Sequence, residues 1–351
     1  MPSRPVEERD APGETQRKKG DEGKRHPERR GPRQEHDPRD EQKGQDEEEH
    51  PEDDAAGFHD AKPARAGRKK VSYRIRPDGA PMTDLLWMPA SDGASGAEGN
   101  PNYLRAFSAK VQKALEDWVL LDRTAFYAEG GGQPSDIGRL TWDGGEAQVD
   151  HVSKRGAVKH TLEGPLPPAG AAVHGEIDWG LRHQHMRMHT SQHILSGVVY
   201  KTRAARTVGN QLHANASRID FEPAKFTPED LRDIETEVNR ILALDLPVRC
   251  YEEDRSTLEA RIKASGGAER NLLTLVPQSV KRLRIVEVYD PDEHIPTFGR
   301  TIDVCPCAGT HVARTAEIGR IEILGRETKG TNRDRITYLL KDGRSEATGR
   351  L

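Results

Sequence analysis

The chain has 351 residues, of which 32% are charged and 33% hydrophobic, with a formal net charge of −4. Mean hydropathy is −0.84, and no run approaches the ~20 apolar residues of a membrane-spanning helix, so a helical membrane protein is excluded. The weakly acidic balance gives no global attraction for nucleic acid, so any such partner must be held by local patches. Three cysteines, an odd number in a long chain, speak against a disulfide framework and for a reducing cytoplasm.

Residues 1–70 contain no Leu, Ile, Trp or Tyr and consist mainly of Arg, Lys, Glu, Asp, Pro, Gly and Gln. Such a segment buries too little apolar surface to offset the entropy of ordering its backbone, so a disordered charged tail is expected over residues 1–81. It lacks the apolar stretch of a secretory signal, and its many acidic residues do not suit a transit peptide. Met82, in Pro81-Met-Thr-Asp-Leu-Leu-Trp, is an alternative start of the folded protein.

After a connector rich in Gly, Ser and Asn (Ser91 to Asn102), short runs such as Trp118 to Asp122, Gly138 to Trp142 and Ala147 to Val152 alternate with Gly, Pro and Asp. The spacing predicts a small β-barrel domain over residues 82–178. From 179 the pattern becomes mixed. Met186 to Ser196 is proline-free and reads as helix. Thr227 is an N-cap with Pro228 at the first helical position, and Leu231, Ile234, Val238, Ile241 and Leu242 form one apolar stripe. Ser256 to Glu259 has the form of a capping box for a further helix. Val280 to Tyr289, Ile318 to Leu324 and Arg335 to Leu340 read as strands, so residues 179–351 are expected to form an α+β sandwich.

Two short words supply chemistry. His189 and His193 stand one helical turn apart on one face, and Cys307 and His311 repeat the spacing in a stretch rich in turn residues. A lone histidine pair on a helix is most often ordinary core or surface. Three imidazoles and one thiol together make a natural tetrahedral Zn2+ set, drawn from a helix and a distant loop. The zinc-protease pattern needs Glu after the first histidine, and this chain has Thr190 there, which excludes that class. The run Gly130, Gly131, Gly132 allows close backbone approach, with free amides for a phosphate or ribose; a packing wedge is the competing reading. Cys250 reads as a plain strand residue.

These words, with their neighbours, resemble the editing domain shared by alanyl-tRNA synthetases, threonyl-tRNA synthetases and the freestanding alanyl-tRNA editing proteins of the AlaX type. Leu121 to Gly138 is similar to the glycine-rich signature of the larger, two-domain editing proteins. Ile177-Asp-Trp, Met186-Arg-Met-His, Arg218-Ile-Asp-Phe221 and Thr315-Ala-Glu-Ile-Gly319 follow in the family's order. The likeness covers about residues 83–345. One departure is Ala308, where the family usually has glycine. Cys305 could compete as the thiolate, but only Cys307 has the family's spacing to His311.

The resemblance implies a cytoplasmic, zinc-dependent hydrolase that removes mischarged serine from alanine tRNA in trans, with glycine as a further candidate. It implies that His189, His193, Cys307 and His311 hold the metal, and that Gly130, Gly131, Gly132 and Gln133 meet the tRNA acceptor end. Related proteins place a hydroxyl-sensing side chain near Thr207, an ordinary strand threonine on the bland reading. Zinc could polarise water or only orient the substrate, and four protein ligands would leave no open position. A monomer with no membrane partner is expected. Two alternatives stay open: editing of another mischarged tRNA, such as threonine tRNA carrying serine, and a non-catalytic zinc-stabilised tRNA-binding module. The chain remaining after the tail is too short for a synthetase.

Overall fold

In a computed structural model, the described residues are 82–341 apart from 94–95, 155, 265–272 and 274–275, all within the compact unit Lys69–Leu351. The expectations for the tail, residues 1–81, lie outside the described residues.

The first part is a closed antiparallel barrel. Strand β1 (Asp84–Leu85) runs parallel to β4 (Arg123–Thr124) beside it. The barrel strands are β2 (Ala106–Leu115), β3 (Trp118–Leu121), β5 (Gly138–Trp142), β6 (Gly145–Ser153), β7 (Lys159–Glu163) and β8 (Ala172–Ile177). They close in the order β2-β3-β7-β6-β5-β8. Alternation along each strand turns Val111, Val119, Leu140, Val149 and Leu162 inward around Phe107 and Phe126, which meet edge to face.

The helix α1 (Trp179–Arg203) leaves the barrel directly. Asp178 caps it by accepting from Leu181 N–H, and Ala204 ends it in the left-handed region. Then follow β9 (Arg206–Gln211), β10 (Ser217–Glu222), α2 (Pro228–Ala243), β11 (Val248–Asp254), α3 (Arg255–Ala264), β12 (Arg282–Tyr289), β13 (Thr301–Pro306), β14 (Arg320–Thr328) and β15 (Asp334–Lys341). One sheet runs β14-β15-β10-β9 and the other β11-β12-β13, both antiparallel. α1 touches β9 of one sheet and β13 of the other, and α2 packs on β14. The barrel and the mixed α+β part thus follow one another as expected for the fold class.

Thr227 and Asp230 form a reciprocal capping box at α2, and the predicted stripe faces the core, with Leu231 only partly covered. The capping box expected at Ser256 is a misreading. α3 begins at Arg255, whose N–H is bound to Lys281 O, so Ser256 falls inside the first turn. The Arg255 guanidinium secures that junction by donating to the carbonyls of Val276, Pro277 and Val280.

α1 is buried on every side from Met188 to Val199 although it carries Thr, Ser, Gln and His there. Each needs a partner. Ser191 donates to Met188 O, and Thr190 to Met186 O. At its start, Arg182 forms a fully buried ion pair with Asp136 of the barrel and donates to the carbonyls of Asn102 and Ala125. Asp136 also accepts from Tyr127 N–H, so one carboxylate joins the barrel loop to the helix. Breaking such a pair costs about 3–5 kcal/mol, because the remaining charge stays buried.

His160, completely buried in the barrel, is held neutral: its Nδ1 lies 3.4 Å from Val119 O and its Nε2 2.9 Å from Thr124 Oγ1. Burial pushes its pKa from 6.5 down to about 4. A depressed histidine leaves stability untouched above pH 6.5 and erodes it as the unfolded chain gains the proton between 6.5 and 4. At pH 5 the loss is about 2 kcal/mol. Urea unfolding at pH 7.5 and pH 5 should show that difference shrinking by about 2 kcal/mol in His160→Gln. An identical pH dependence in the variant contradicts the assignment.

Candidate metal centre

The four expected ligands converge. His189 and His193 project from α1, while Cys307 and His311 come from the loop that links β13 to a short 3-10 turn (Thr315–Ile318). Their donor atoms all lie within 4.8 Å of one another. Ring centroids are 5.2 Å apart for His189 and His193, 4.3 Å for His189 and His311, and 4.7 Å for His193 and His311. Cys307 Sγ is 3.6 Å from His189 Nε2 and 3.3 Å from His311 Nε2.

Close approach of backbone to helix makes this possible at two glycines. A Cβ on Gly197 would stand 2.6 Å from Ile302 O, so only glycine lets β13 pass against α1 there. A Cβ on Gly309 would stand 2.1 Å from the His189 ring. The loop can therefore fold over the first histidine only with a bare Cα at 309.

Every histidine has its Nδ1 engaged. His189 Nδ1 donates to Gln133 Oε1 at 2.7 Å; that amide is oriented because Thr310 N–H also donates to Oε1 while Nε2 donates to Thr310 Oγ1. His193 Nδ1 lies 2.8 Å from Asp303 Oδ2. His311 Nδ1 lies 3.1 Å from Thr190 Oγ1, whose single proton goes to Met186 O, so the ring is the donor. All three rings thus turn Nε2 toward one point, each oriented by a second hydrogen bond as is usual for metal-binding histidine. The backbone of His311 is fixed in turn by Asn102 Oδ1.

The donor set fits a tetrahedral cation. A zinc ion with Zn–N near 2.05 Å and Zn–S near 2.3 Å has an N···S edge of roughly 3.5 Å. The two observed Cys307 distances, 3.6 and 3.3 Å, bracket that edge. Burial alone would raise the Cys307 thiol, but the imidazoles of His189 and His311 outweigh it and hold the thiol well below its ordinary range. That favours the thiolate, the form that binds metal. Burial, with the neighbouring His189, drives His311 well below its usual value against the pull of the Cys307 thiolate, so thiol and ring compete for one proton. Burial opposes charge on His193 as well, yet the neighbouring Cys305 and Asp303 raise it well above the usual value. Protons and a metal therefore compete at its ring.

Cys305 sits on the other side of His193, 3.3 Å from Nδ1, and is fully buried. With Asp303 it forms a second cluster that shares His193. Cys307, not Cys305, is the thiol grouped with all three rings.

A cavity of about 260 Å3 opens onto His189, His193 and Cys307, with His311 buried behind them. Thr207, from β9, lines it together with Gln192 and Val208. Thr207 Oγ1 is 2.7 Å from Ser196 Oγ, which also accepts from Gln192 Nε2 at 2.8 Å. Ala308, the departure from the family pattern, lines the cavity, and its carbonyl accepts from Trp87 Nε1 at 3.1 Å.

The glycine-rich run divides in role. Gly131 is exposed and reaches the cavity, whereas Gly132 packs on β9, where a Cβ would strike Asn210. Gln133, expected to meet tRNA, does not reach the surface. It is fully buried, and its amide is committed to His189 and Thr310. Asp303 was not anticipated; an acid inside the otherwise apolar run Ile302 to Cys305 was its signal.

Residues 102–181 match the family model described as tRNA synthetases class II (A), and residues 283–337 match Threonyl and Alanyl tRNA synthetase second additional domain. The chain is 36% identical over 251 residues to alanyl-tRNA editing protein AlaX-M of Methanosarcina barkeri, covering 68% of this chain and 96% of that protein. A relative from Methanosarcina acetivorans gives 36% over 254 residues with the same coverage. Alanine–tRNA ligase of Pyrobaculum aerophilum is 38% identical over 229 residues, which span 24% of the ligase.

Gln133→Leu keeps the volume near His189 but removes the acceptor. It should weaken divalent-metal affinity about 10- to 100-fold in a chelator competition while circular dichroism stays unchanged. Undiminished affinity contradicts the positioning role. The identity and near-complete coverage of the Methanosarcina relatives place this chain in the alanyl-tRNA editing protein AlaX-M family.

Proposed function

We propose that this protein is a zinc-dependent hydrolase that deacylates alanine tRNA carrying serine, with glycine as a second wrong amino acid, acting in trans as a cytoplasmic monomer. One observation carries the reading: three oriented imidazoles and one thiol converge on one point, and three of the four donors line a cavity that also exposes a threonine. Names of the relatives support the alanine branch of the substrate class.

Zinc, when bound by His189, His193, Cys307 and His311, supplies a positive charge that polarises an ester oxygen and a fixed point against which the ester is oriented. The chain's own residues do the selecting. Aminoacyl esters are already labile, so placing the ester and a water together supplies much of what is needed. With four protein donors present, the donor set supports the orienting role over generation of a nucleophile. The hydrogen-bonded chain of the Gln192 amide and the Ser196 and Thr207 hydroxyls presents polar partners, Gln192 and Thr207, at the cavity wall. A serine hydroxyl can join that chain, and alanine's methyl cannot. The unpaired polar group left beside alanine costs about 1–3 kcal/mol.

Deacylation of seryl-, glycyl- and alanyl-tRNA for alanine, with and without chelator, tests the proposal. Hydrolysis of seryl-tRNA should require the metal. Thr207→Val should lower the serine-over-alanine ratio of kcat/KM by about 1–3 kcal/mol and leave metal content intact. A parallel fall on both substrates makes Thr207 scaffolding, and chelator-resistant hydrolysis removes zinc from the reading.

A further inference from the structure

Among the described residues, the cavity over the metal centre is lined by a single ammonium or guanidinium group, that of Lys154, which follows β6 on the barrel. Lys154 is exposed, and no described carboxylate pairs with it. The rest of the rim is neutral: Gly131, Asn210 and Val208, the last 45% exposed. An unpaired cation among neutral, exposed rim residues is where an approaching anion would be held.

Gly130 lies directly beneath the lysine end. Its φ is not left-handed, so glycine is not required by conformation. A Cβ at 130 would stand 3.0 Å from both Cε and Nζ of Lys154. Tyr127 pins the same residue by donating to Gly130 O at 2.7 Å. The bare Cα lets the lysine end lie directly against the loop at the cavity, a contact that a methyl at 130 would shift by only a few tenths of an ångström.

We propose that Lys154 binds the phosphodiester on the 5′ side of the terminal nucleotide while the ester lies below at the metal centre. This inference rests on the hydrolase reading above. An aminoacyl ester on the terminal ribose carries its phosphodiester on the opposite side of the sugar from the chemistry. With the amino acid at the cavity floor and the ribose above it, that phosphate arrives at the mouth. Lys154 is then a substrate-binding residue that sets register and takes no part in bond breaking.

The test uses the full chain, uncharged alanine tRNA, seryl-tRNA, and a phosphate-free seryl ester of adenosine. Lys154→Met should weaken uncharged tRNA binding about three- to fivefold at low salt. It should also reduce the slope of log affinity against log salt by about 0.7, the signature of one lost single-strand phosphate contact. KM for seryl-tRNA should rise with kcat unchanged, and hydrolysis of the phosphate-free ester should not change. Lys154→Arg should restore binding and slope. An unchanged slope, or an equal loss on the phosphate-free ester, overturns the assignment. Failure of the wild-type protein to hydrolyse either ester would overturn the hydrolase reading instead, and the binding slope would still decide the role of Lys154.

Discussion

Three buried imidazoles and a partly buried thiol aim their donor atoms at one point, and that crowding constrains everything around it. Lone pairs facing one another in a low-dielectric interior repel, and a buried thiolate without a counter-charge is costly. A cation at the shared point resolves both difficulties. The surroundings are built to keep the rings in that orientation: Gln133, Asp303 and Thr190 each occupy one Nδ1. Gly197 and Gly309 admit β13 and the following loop to the distance at which those bonds form. Removing any of these parts leaves the donors present but misdirected.

The same constraint explains why the barrel and the α+β part belong to one compact unit. Gln133 comes from the barrel side, and so do Asn102, which fixes His311, and Asp136, which holds Arg182 of α1. The helix carrying two ligands is therefore anchored to the barrel by a buried charge one turn from its start. The site is incomplete without the barrel, even though none of the four ligands comes from it. Trp87 adds a further tie by holding the carbonyl of Ala308 in the ligand loop.

What was legible in the sequence is what depends on local pattern. The strands around Val119, Leu140 and Val149 follow from alternation, and α2 follows from Thr227, Pro228 and a stripe at helical spacing. The four donors stood out because i, i+4 spacing is itself local. The misreadings share a different cause. Ser256 to Glu259 has the right residues for a cap, but a backbone bond from Arg255 to Lys281, set by the neighbouring strand, begins the helix earlier. The family resemblance assigns Gln133 to the tRNA; its burial under His189 depends on a contact 56 residues away along the chain. Asp303 likewise gains its meaning only from the packing of β13 on α1. Long-range partners of polar groups are invisible to local pattern.

The central claim is that one thiolate and three imidazoles, and no others, form the first coordination shell. X-ray absorption at the zinc edge of the purified full chain tests it most directly. The account predicts about three nitrogen scatterers near 2.05 Å and one sulfur near 2.3 Å per metal. A spectrum requiring two sulfurs would bring Cys305 into the shell and contradict the convergence on Cys307, and one with no sulfur would contradict it altogether.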